Sequence, residues 1–285
     1  MQPLLNPYIA GAPIVEPSMF FGRQDVFQWI ERNLSGKYVD HILVIHGQRR
    51  VGKTSVLKQI PNFLPKTYIQ VFFDLQGRTT TTLDRFLWWL GREIARVARQ
   101  SHSLAVPAPD QAAFTSDADY LYAQFLPGLK PLLGEHKLLL TFDEFDTLEQ
   151  PEIRETLGRP LIDYLRRLFE LEYLNFIFSI GSSGRKLENM QASYTDFFKT
   201  ALYRKISFLS KDDCQQLIAG RWRVCWRMNR RPSSASTPSP AGTLTLPSSC
   251  ATNYSRCARR RASATFPMAT WMPSWTTSSS AARST

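Results

Sequence analysis

Residues 41–60, HILVIHGQRRVGKTSVLKQI, decide the fold of this chain. The run HILVIH is apolar enough for a short strand that is buried on both faces. The next eight residues match the pattern G-x-x-x-x-G-K-[ST] at every fixed position, and they are Gly47, Gln48, Arg49, Arg50, Val51, Gly52, Lys53 and Thr54. A helical stretch begins at Ser55. Because a glycine-rich turn before a helix lets backbone N–H groups surround a phosphate, residues 47–55 predict a phosphate-binding loop.

The phosphate-binding loop predicts ATP with Mg²⁺ as the ligand, and the residues do not separate ATP from GTP. We expect the backbone of residues 47–55 to bind the nucleotide, with Lys53 reaching the β- and γ-phosphates as a catalytic charge. The Thr54 hydroxyl is expected to ligate Mg²⁺. The alternative is a glycine turn with an incidental Lys-Thr pair, which the neighbouring strand and helix disfavour.

A second motif closes the apolar run LLLTF, residues 138–142, with Asp143 and Glu144. An acid at the C-terminal end of a parallel strand faces the crevice in which such sheets bind ligands. Asp143 is therefore expected to hold Mg²⁺ through a water molecule, and Glu144 to orient or deprotonate the attacking water. The alternative is a turn in which Asp143 caps the next helix. Asp146 and Glu149 are expected to be surface or capping residues.

Strand patterns alternate with helix patterns along residues 41–219. Strands are predicted at 41–46, 67–74, 137–142, 173–180 and 203–208. Helices are predicted from Ser55 to Pro61, at 82–100, 117–134 and 152–170, and from near Ser210, with loops near 101–116 and after residue 180. Alternating strands and helices form right-handed βαβ units, so the predicted fold class is α/β, a three-layer sandwich around a parallel sheet.

The charge of the chain is unevenly distributed. Its 285 residues carry a net charge of +11, yet residues 1–219 hold 25 Lys and Arg against 24 Asp and Glu. Residues 220–285 hold 10 Arg and no Lys, Asp or Glu. A basic surface is the usual mark of nucleic-acid binding, but here the excess lies entirely in the tail. We therefore do not expect nucleic acid as a partner of the core.

Residues 220–285 are rich in Ser, Thr and Pro, hold four of the seven Trp, and show no helix or strand periodicity. This composition suits a disordered basic tail. It also suits translation out of frame, because a shift of one base turns GC-rich codons for this segment into a helically patterned text that contains GGHPYFTQLL. The predicted domains are an N-terminal extension (1–40), a nucleotide-binding core (41–219) and a low-complexity, out-of-frame, disordered tail (220–285).

The sequence contains no apolar run near the 18 or so residues of a membrane span. The first residues, MQPLLNPYIAG, lack the basic and apolar regions of a secretory signal. The four cysteines show neither a CxxC pair nor the spacing of zinc ligands. These features predict a cytoplasmic location without a membrane partner.

Four segments resemble the STAND class of signal-transduction P-loop ATPases, which are relatives of the AAA+ and NACHT proteins. They are NPYIAGAPIVEPSMFFGRQDVFQWI (6–30), HGQRRVGKTSVL (46–57), LLLTFDEFDTLE (138–149) and FIFSIGSS (176–183). The resemblance covers about residues 5–219 and is to bacterial and archaeal members that open with an F-G-R box. It implies an ATP-dependent switch, strand order 5-1-4-3-2 and a catalytic Glu after the metal-binding Asp.

The resemblance also implies roles for residues outside the two motifs. Gly22 and Arg23 of the F-G-R box would lie near the nucleotide base. Ser182 would take the first sensor position, and Arg204 would be a phosphate-sensing arginine. The implied partner is an unknown protein or a second copy of the chain. A lid with a G-x-P-Y signature follows the core in this class, and the actual reading frame does not contain it.

Three functions are compatible with these features. The favoured one is Mg-dependent ATP binding with slow hydrolysis by a switch ATPase. The second is a nucleotide-binding module without significant hydrolysis. The third is a nucleic-acid-associated, AAA-like ATPase such as a helicase loader.

Overall fold

Strands and helices alternate through the part of the chain that the computed structural model describes, which is residues 12–35, 42–76, 81–181 and 186–219. The strands are β1 (Leu43–Gly47), β2 (Tyr68–Asp74), β3 (Lys137–Asp143), β4 (Leu174–Gly181) and β5 (Leu202–Lys205). The α-helices are α1 (Gln24–Leu34), α2 (Lys53–Phe63), α3 (Leu83–His102), α4 (Gln111–Ser116), α5 (Leu126–Leu133), α6 (Pro151–Ile153), α7 (Arg159–Leu168), α8 (Lys186–Ser193) and α9 (Thr195–Phe198). Residues 211–219 are also helical.

The strands pair in parallel in the order β2-β3-β4-β1-β5. Counted from the other edge, this is the order 5-1-4-3-2 that the resemblance to a known class implies, and the predicted α/β sandwich is confirmed. β4 lies between β1 and β3, and Gly47 at the end of β1 is level with Gly181 at the end of β4. The carboxyl ends of parallel strands lie at the same edge of a sheet. The phosphate-binding loop and the Asp143-Glu144 pair therefore lie along one edge of the sheet.

The sheet is buried on both faces because alternate strand residues belong to two hydrophobic clusters. Val44 and Leu140 pack in the larger cluster with residues of α3, α5 and α7. Ile45 and Leu139 pack in the smaller cluster with residues of α1 and α2. Successive side chains of a strand point to opposite faces, so a doubly covered sheet requires continuous apolar runs like the one in β3.

Helix α2 continues to Phe63, so the prediction that it ends at Pro61 is wrong. Proline lacks an N–H, which leaves the carbonyl of Leu57, four residues earlier, without its helical donor. The side chain of Gln70 in β2 supplies a donor: its Nε2 lies 2.8 Å from the Leu57 oxygen and 3.1 Å from Thr141 Oγ1. A neighbouring strand therefore completes the hydrogen bonds of the helix that follows the phosphate-binding loop.

Gln70→Leu is expected to lower the free energy of unfolding by about 1–3 kcal/mol, because leucine leaves the buried Leu57 carbonyl without its donor. Equilibrium urea unfolding measures this loss. The matched control is Gln124→Leu on the protein surface, which is expected to change the free energy of unfolding by less than about 0.5 kcal/mol. Equal losses in the two variants would mean that the Gln70 hydrogen bonds contribute nothing specific.

Short helices are the elements that the sequence pattern misses. The predicted loop at 101–116 contains α4, which Asp110 caps by accepting the N–H of Ala112 at 3.2 Å. The predicted loop after β4 contains α8 and α9. The predicted helices at 117–134 and 152–170 are interrupted by π-helical turns at Leu121–Phe125 and Arg154–Gly158. Helices of two turns or fewer hold too few residues to show a period in the sequence.

β5 ends at Lys205, three residues before the predicted end at 208. Ile206 still donates its N–H to the His46 carbonyl at 2.7 Å. The carbonyl of the next residue, Ser207, accepts a hydrogen bond from the guanidinium of Arg23. The side chain of Arg23, which precedes α1, therefore donates a hydrogen bond to the backbone just after β5 ends.

The described residues fall within one compact unit, Met1–Arg231. The predicted tail, 220–285, lies outside the described residues, so its predicted disorder and the predicted domain boundaries stay predictions. None of the helices in the described ranges is both long and apolar enough to cross a membrane.

Candidate nucleotide-binding site

The phosphate-binding loop leaves β1 at Gly47 and enters α2 at Lys53. Gly52, just before the helix, has φ 100°, a left-handed conformation that side chains rarely adopt. Gln48, Arg49 and Arg50 are exposed, whereas Val51 is buried. The loop thus has the strand–turn–helix setting that the motif requires, with its N–H groups at the N-terminus of a three-turn helix.

Lys53 is buried at 5% exposure, which is unusual for a lysine. Its Nζ donates to the carbonyl of Gly47 at 3.0 Å and to the carbonyl of Gln48 at 3.1 Å. These two hydrogen bonds hold the loop around the Lys53 ammonium group, so its positive charge lies at the N-terminus of α2. Thr54, the next residue, is half-buried in the first turn of the helix. Lys53 and Thr54, predicted to contact phosphate and metal, therefore lie side by side at the start of α2.

Asp143 is the last residue of β3, and Glu144 follows it at the same edge of the sheet. Asp143 is 1% exposed, and its Oδ1 accepts the N–H of Glu144 at 3.1 Å. Burial raises the pKa of the Glu144 carboxyl, and the negative charges of Asp146 and Asp143 raise it further. Lys53 and Arg49 act on this pKa in the opposite direction. Glu144 is therefore near both its acidic neighbours and the charges of the phosphate-binding loop.

Asp146 is expected to be a surface or capping residue, and the surface alternative is wrong. It is 4% exposed, and its Oδ1 accepts the N–H of Gly181, the last residue of β4, at 2.8 Å. Glu149 is partly buried, and its Oε2 accepts a hydrogen bond from the Ser193 hydroxyl at 3.1 Å. Its Oε1 lies 3.8 Å from Arg154 Nε. The 3₁₀ turn Phe145–Glu149 turns these acids inward. The only sequence feature that could mark Asp146 is its place as the third acid of the run D-E-F-D, residues 143–146.

A segment before the F-G-R box lies along α2. Ser55, which the sequence predicts to bind nucleotide, accepts the N–H of Ile14 with its hydroxyl at 3.0 Å. Gln59 is fully buried and donates to the carbonyls of Ile14 at 3.1 Å and Val15 at 2.8 Å. No sequence motif marks Gln59, because a single amide on a helix belongs to no recognisable pattern. These bonds fix residues 14 and 15 beside the phosphate-binding loop.

The F-G-R box contacts the phosphate-binding loop directly. The Arg23 guanidinium donates to the carbonyl of Val51 at 3.2 Å and to that of Ser207. Burial lowers the pKa of Arg23, while the charges of Asp25 and Asp213 raise it. Gly22 lies against the carboxyl group of Asp213 in helix 211–219. The predicted role of Gly22 and Arg23 near the nucleotide base stays a prediction, and the contact with Val51 is its structural support.

The two sensor residues are less well supported. Arg204 lies on the edge strand β5, and its guanidinium pairs with Asp25 in the first turn of α1. This pairing directs its charge toward α1, and its phosphate-sensing role stays a prediction. Ser182 lies outside the described residues, directly after Gly181 at the end of β4.

The fold has counterparts of known structure. The Walker-type ATPase paby2304 of Pyrococcus abyssi superposes with a TM-score of 0.56 and 19% identity, over 75% of this chain and 61% of that one. The ORC2 protein of Aeropyrum pernix, in ADPNP-ADP complexes, superposes with a TM-score of 0.53 and 14% identity, over 76% of this chain and 55% of that one. The chain thus spans about three fifths of the length of these proteins, and at such identities the likeness shows the fold alone.

Sequence comparison identifies the domain itself. No curated protein matches the chain. The model of the family described as "AAA domain" matches residues 37–187, which include the phosphate-binding loop, the Asp143-Glu144 pair and four of the five strands. The match does not distinguish the STAND class within such ATPases. Because it extends over more than half of the 285 residues, the chain belongs to the AAA domain family and carries an AAA-type P-loop ATPase domain.

Proposed function

We propose that the chain binds Mg·ATP and hydrolyses it slowly, as the ATPase core of a STAND-type switch. The observation that carries the proposal is that Lys53, in the phosphate-binding loop after β1, and the pair Asp143-Glu144, at the end of β3, lie along one edge of the parallel sheet. Transfer of a phosphoryl group to water needs a positive charge for the phosphates, a carboxylate for the metal and a group that orients the water. All three are present here.

Asp143 and Thr54 have the chemistry that Mg²⁺ requires. Carboxylate and hydroxyl oxygens are hard ligands, and Mg²⁺ takes only one or two from the protein while phosphates and water supply the rest. The nearly complete burial of Asp143 keeps its charge away from bulk solvent. When bound, the ion would neutralise charge on the β- and γ-phosphates.

Glu144 is the residue that would act on the attacking water. A general base works best when its pKa approaches the working pH, and burial moves the pKa of Glu144 in that direction. Lys53 and Arg49 oppose the rise and favour the ionised form that a base needs. Lys53 is also preorganised, because two carbonyls hold its ammonium in place before the charge on the phosphates develops.

The switch role is supported by contacts that join the phosphate-binding loop to both flanking segments. Arg23 connects the Val51 carbonyl with the Ser207 carbonyl, and Ser55 holds Ile14. A change in loop conformation on nucleotide binding would therefore act on residues 12–23 and on the segment that leads into helix 211–219. The partner that reads this change would be another protein or a second copy of the chain.

A nucleic-acid-associated ATPase is the second candidate, and helix α3 is the observation that favours it. The prediction against nucleic acid rests on the charge of residues 1–219 as a whole. The exposed side of α3 nevertheless carries a row of arginines: Arg85, Arg92, Arg96 and Arg99. The guanidinium carbon of Arg92 lies 4.8 Å from the ring centroid of Trp88, and that of Arg85 lies 5.3 Å from the ring centroid of Trp89. Arginine and aromatic side chains together are the usual contacts of single-stranded nucleic acid.

Asp143→Asn tests the metal-dependent part of the proposal. It is expected to weaken ATP binding in the presence of Mg²⁺ by at least about tenfold, about 1.4 kcal/mol, and to leave binding in EDTA nearly unchanged. The reason is that the amide has no charge to hold the ion. Calorimetry with ATP in both conditions measures the difference, and the exposed Asp163→Asn on α7 is the control.

Phosphate release by the unaltered chain separates the proposal from its alternative. Mg-dependent release would support slow hydrolysis. Tight binding of Mg·ATP without any release would instead favour a nucleotide-binding module. If Asp143→Asn binds Mg·ATP as the parent does, Asp143 is not the metal ligand.

A further inference from the structure

Asp146 connects the acidic turn to the strand beside it. Glu144 has a left-handed backbone (φ 53°), which turns the chain at the end of β3 into the 3₁₀ turn Phe145–Glu149. Asp146 is thereby buried against the sheet, and its Oδ1 accepts the N–H of Gly181 at 2.8 Å. Gly181 is the last residue of β4, so the carboxylate holds the turn to the end of the strand that lies between the two motifs.

Gly181 extends this connection to the phosphate-binding loop. It is level with Gly47 in the parallel pairing of β4 with β1. The carbonyl of Gly47 in turn accepts Lys53 Nζ at 3.0 Å. The Asp146 carboxylate therefore connects the turn that carries Glu144 to β4. The pairing of β4 with β1 then connects it to the loop that carries Lys53.

Phe145 anchors the same turn from inside the protein. It is fully buried, and its ring centroid lies 4.4 Å from that of Phe178 and 6.1 Å from those of Phe142 and Phe197. A packed ring and a buried hydrogen bond on adjacent residues leave the preceding Glu144 little freedom to move, since cores pack as densely as crystals.

The space around the carboxylate is also restricted. A Cβ on Gly181 would lie 3.3 Å from Asp146 Oδ2 and 3.5 Å from Oδ1. The first distance is tighter than nine in ten real Cβ contacts, so alanine at 181 would require the carboxylate to shift by a few tenths of an ångström. The absence of a side chain at Gly181 thus leaves room for the Asp146 carboxylate.

We propose that Asp146 is a positioning residue for ATP hydrolysis, whose carboxylate holds the Glu144 turn against the end of β4 and so fixes Glu144 relative to Lys53. The inference rests on the proposed ATP hydrolysis. The hydrogen bond requires only an acceptor oxygen for the Gly181 N–H, which asparagine retains and leucine of similar size lacks.

The test compares Asp146→Asn with Asp146→Leu in the full chain. The Asn variant keeps kcat within about threefold of the parent, whereas the Leu variant lowers kcat at least about tenfold. Both variants keep the Kd for Mg·ATP within about threefold, because the phosphate-binding loop itself is unchanged. Glu149→Gln is the matched control, since Glu149 lies in the same turn but binds Ser193, and it keeps the parental kcat.

Hydrogen exchange at the Gly181 amide gives a readout that does not depend on activity. This amide exchanges at least about tenfold faster in the Leu variant than in the parent, and at nearly the parental rate in the Asn variant. If the Leu variant does not fold, Gly181→Ala takes its place, with a lowered kcat and an unchanged Kd as the expected result.

Three outcomes overturn the inference while the proposed function stands. They are a parental kcat in the Leu variant, an Asn variant as slow as the Leu variant, and a Kd that rises in step with the loss of kcat. Absence of Mg-dependent phosphate release from the parent would instead overturn the proposed function, and this inference with it.

Discussion

Glu144→Gln is expected to slow ATP hydrolysis at least about 100-fold while the Kd for Mg·ATP stays within about threefold of the parent. Glutamine has the size of glutamate and still donates and accepts hydrogen bonds, but its amide cannot take a proton from water. The loss therefore falls on the chemical step, whereas the groups that hold the phosphates are unchanged. Single-turnover hydrolysis with excess protein measures the rate of this step separately from product release.

The control for Glu144→Gln is Glu152→Gln on the exposed surface of α6, which is expected to hydrolyse ATP at the parental rate. Parental turnover by Glu144→Gln would show that another group acts on the water. A rise in Kd that matches the loss of rate would show that Glu144 serves nucleotide binding, because uniform binding changes Kd and leaves the chemical step alone.

Lys53→Ala is expected to weaken Mg·ATP binding at least about tenfold, about 1.4 kcal/mol. The phosphates lose a buried positive charge that backbone N–H groups cannot replace. The variant also loses the two hydrogen bonds from Nζ to the Gly47 and Gln48 carbonyls, so the loop is no longer folded around a central cation. Both effects act in the same direction, and calorimetry with Mg·ATP measures their sum.

Lys58→Ala is the matched control for Lys53→Ala. Lys58 lies on the same helix, and its ammonium rests over the ring of Phe72 at 5.3 Å. Its removal is expected to leave the Kd for Mg·ATP within about twofold of the parent, since it faces β2 and not the phosphate-binding loop. Unchanged affinity in Lys53→Ala itself would rule out the phosphate-site assignment.

Much of the site can be predicted from the sequence because it depends on local patterns. A phosphate-binding loop needs glycines, a lysine and a hydroxyl at fixed spacing between a strand and a helix, and residues 47–54 have all of these. Asp143 and Glu144 are found by the same means, because an apolar run that ends in an acid marks the carboxyl end of a buried strand. The strand order came from the resemblance to a known class, since no local pattern contains it.

The contacts of other residues could not be predicted because their partners are distant in the sequence. Asp146 bonds to Gly181, 35 residues away, and reads as a surface acid until the turn after β3 is known. Arg23 reaches Val51, 28 residues away, and Ser207, 184 residues away. Asp146 is buried and Arg23 is half-buried, and only the packing of other elements shows where each finds its hydrogen bond.

The sequence by itself determined that this chain is an α/β protein with a phosphate-binding loop and an acidic pair, because periodicity and spacing are properties of neighbouring residues. Only the tertiary structure decided that α2 passes through Pro61, that Ser55 and Gln59 hold the N-terminal segment, and that Asp146 ties the acidic turn to β4. The physical reason is that a buried donor or acceptor must be satisfied by whichever group the fold brings to it, and that group can come from anywhere in the chain.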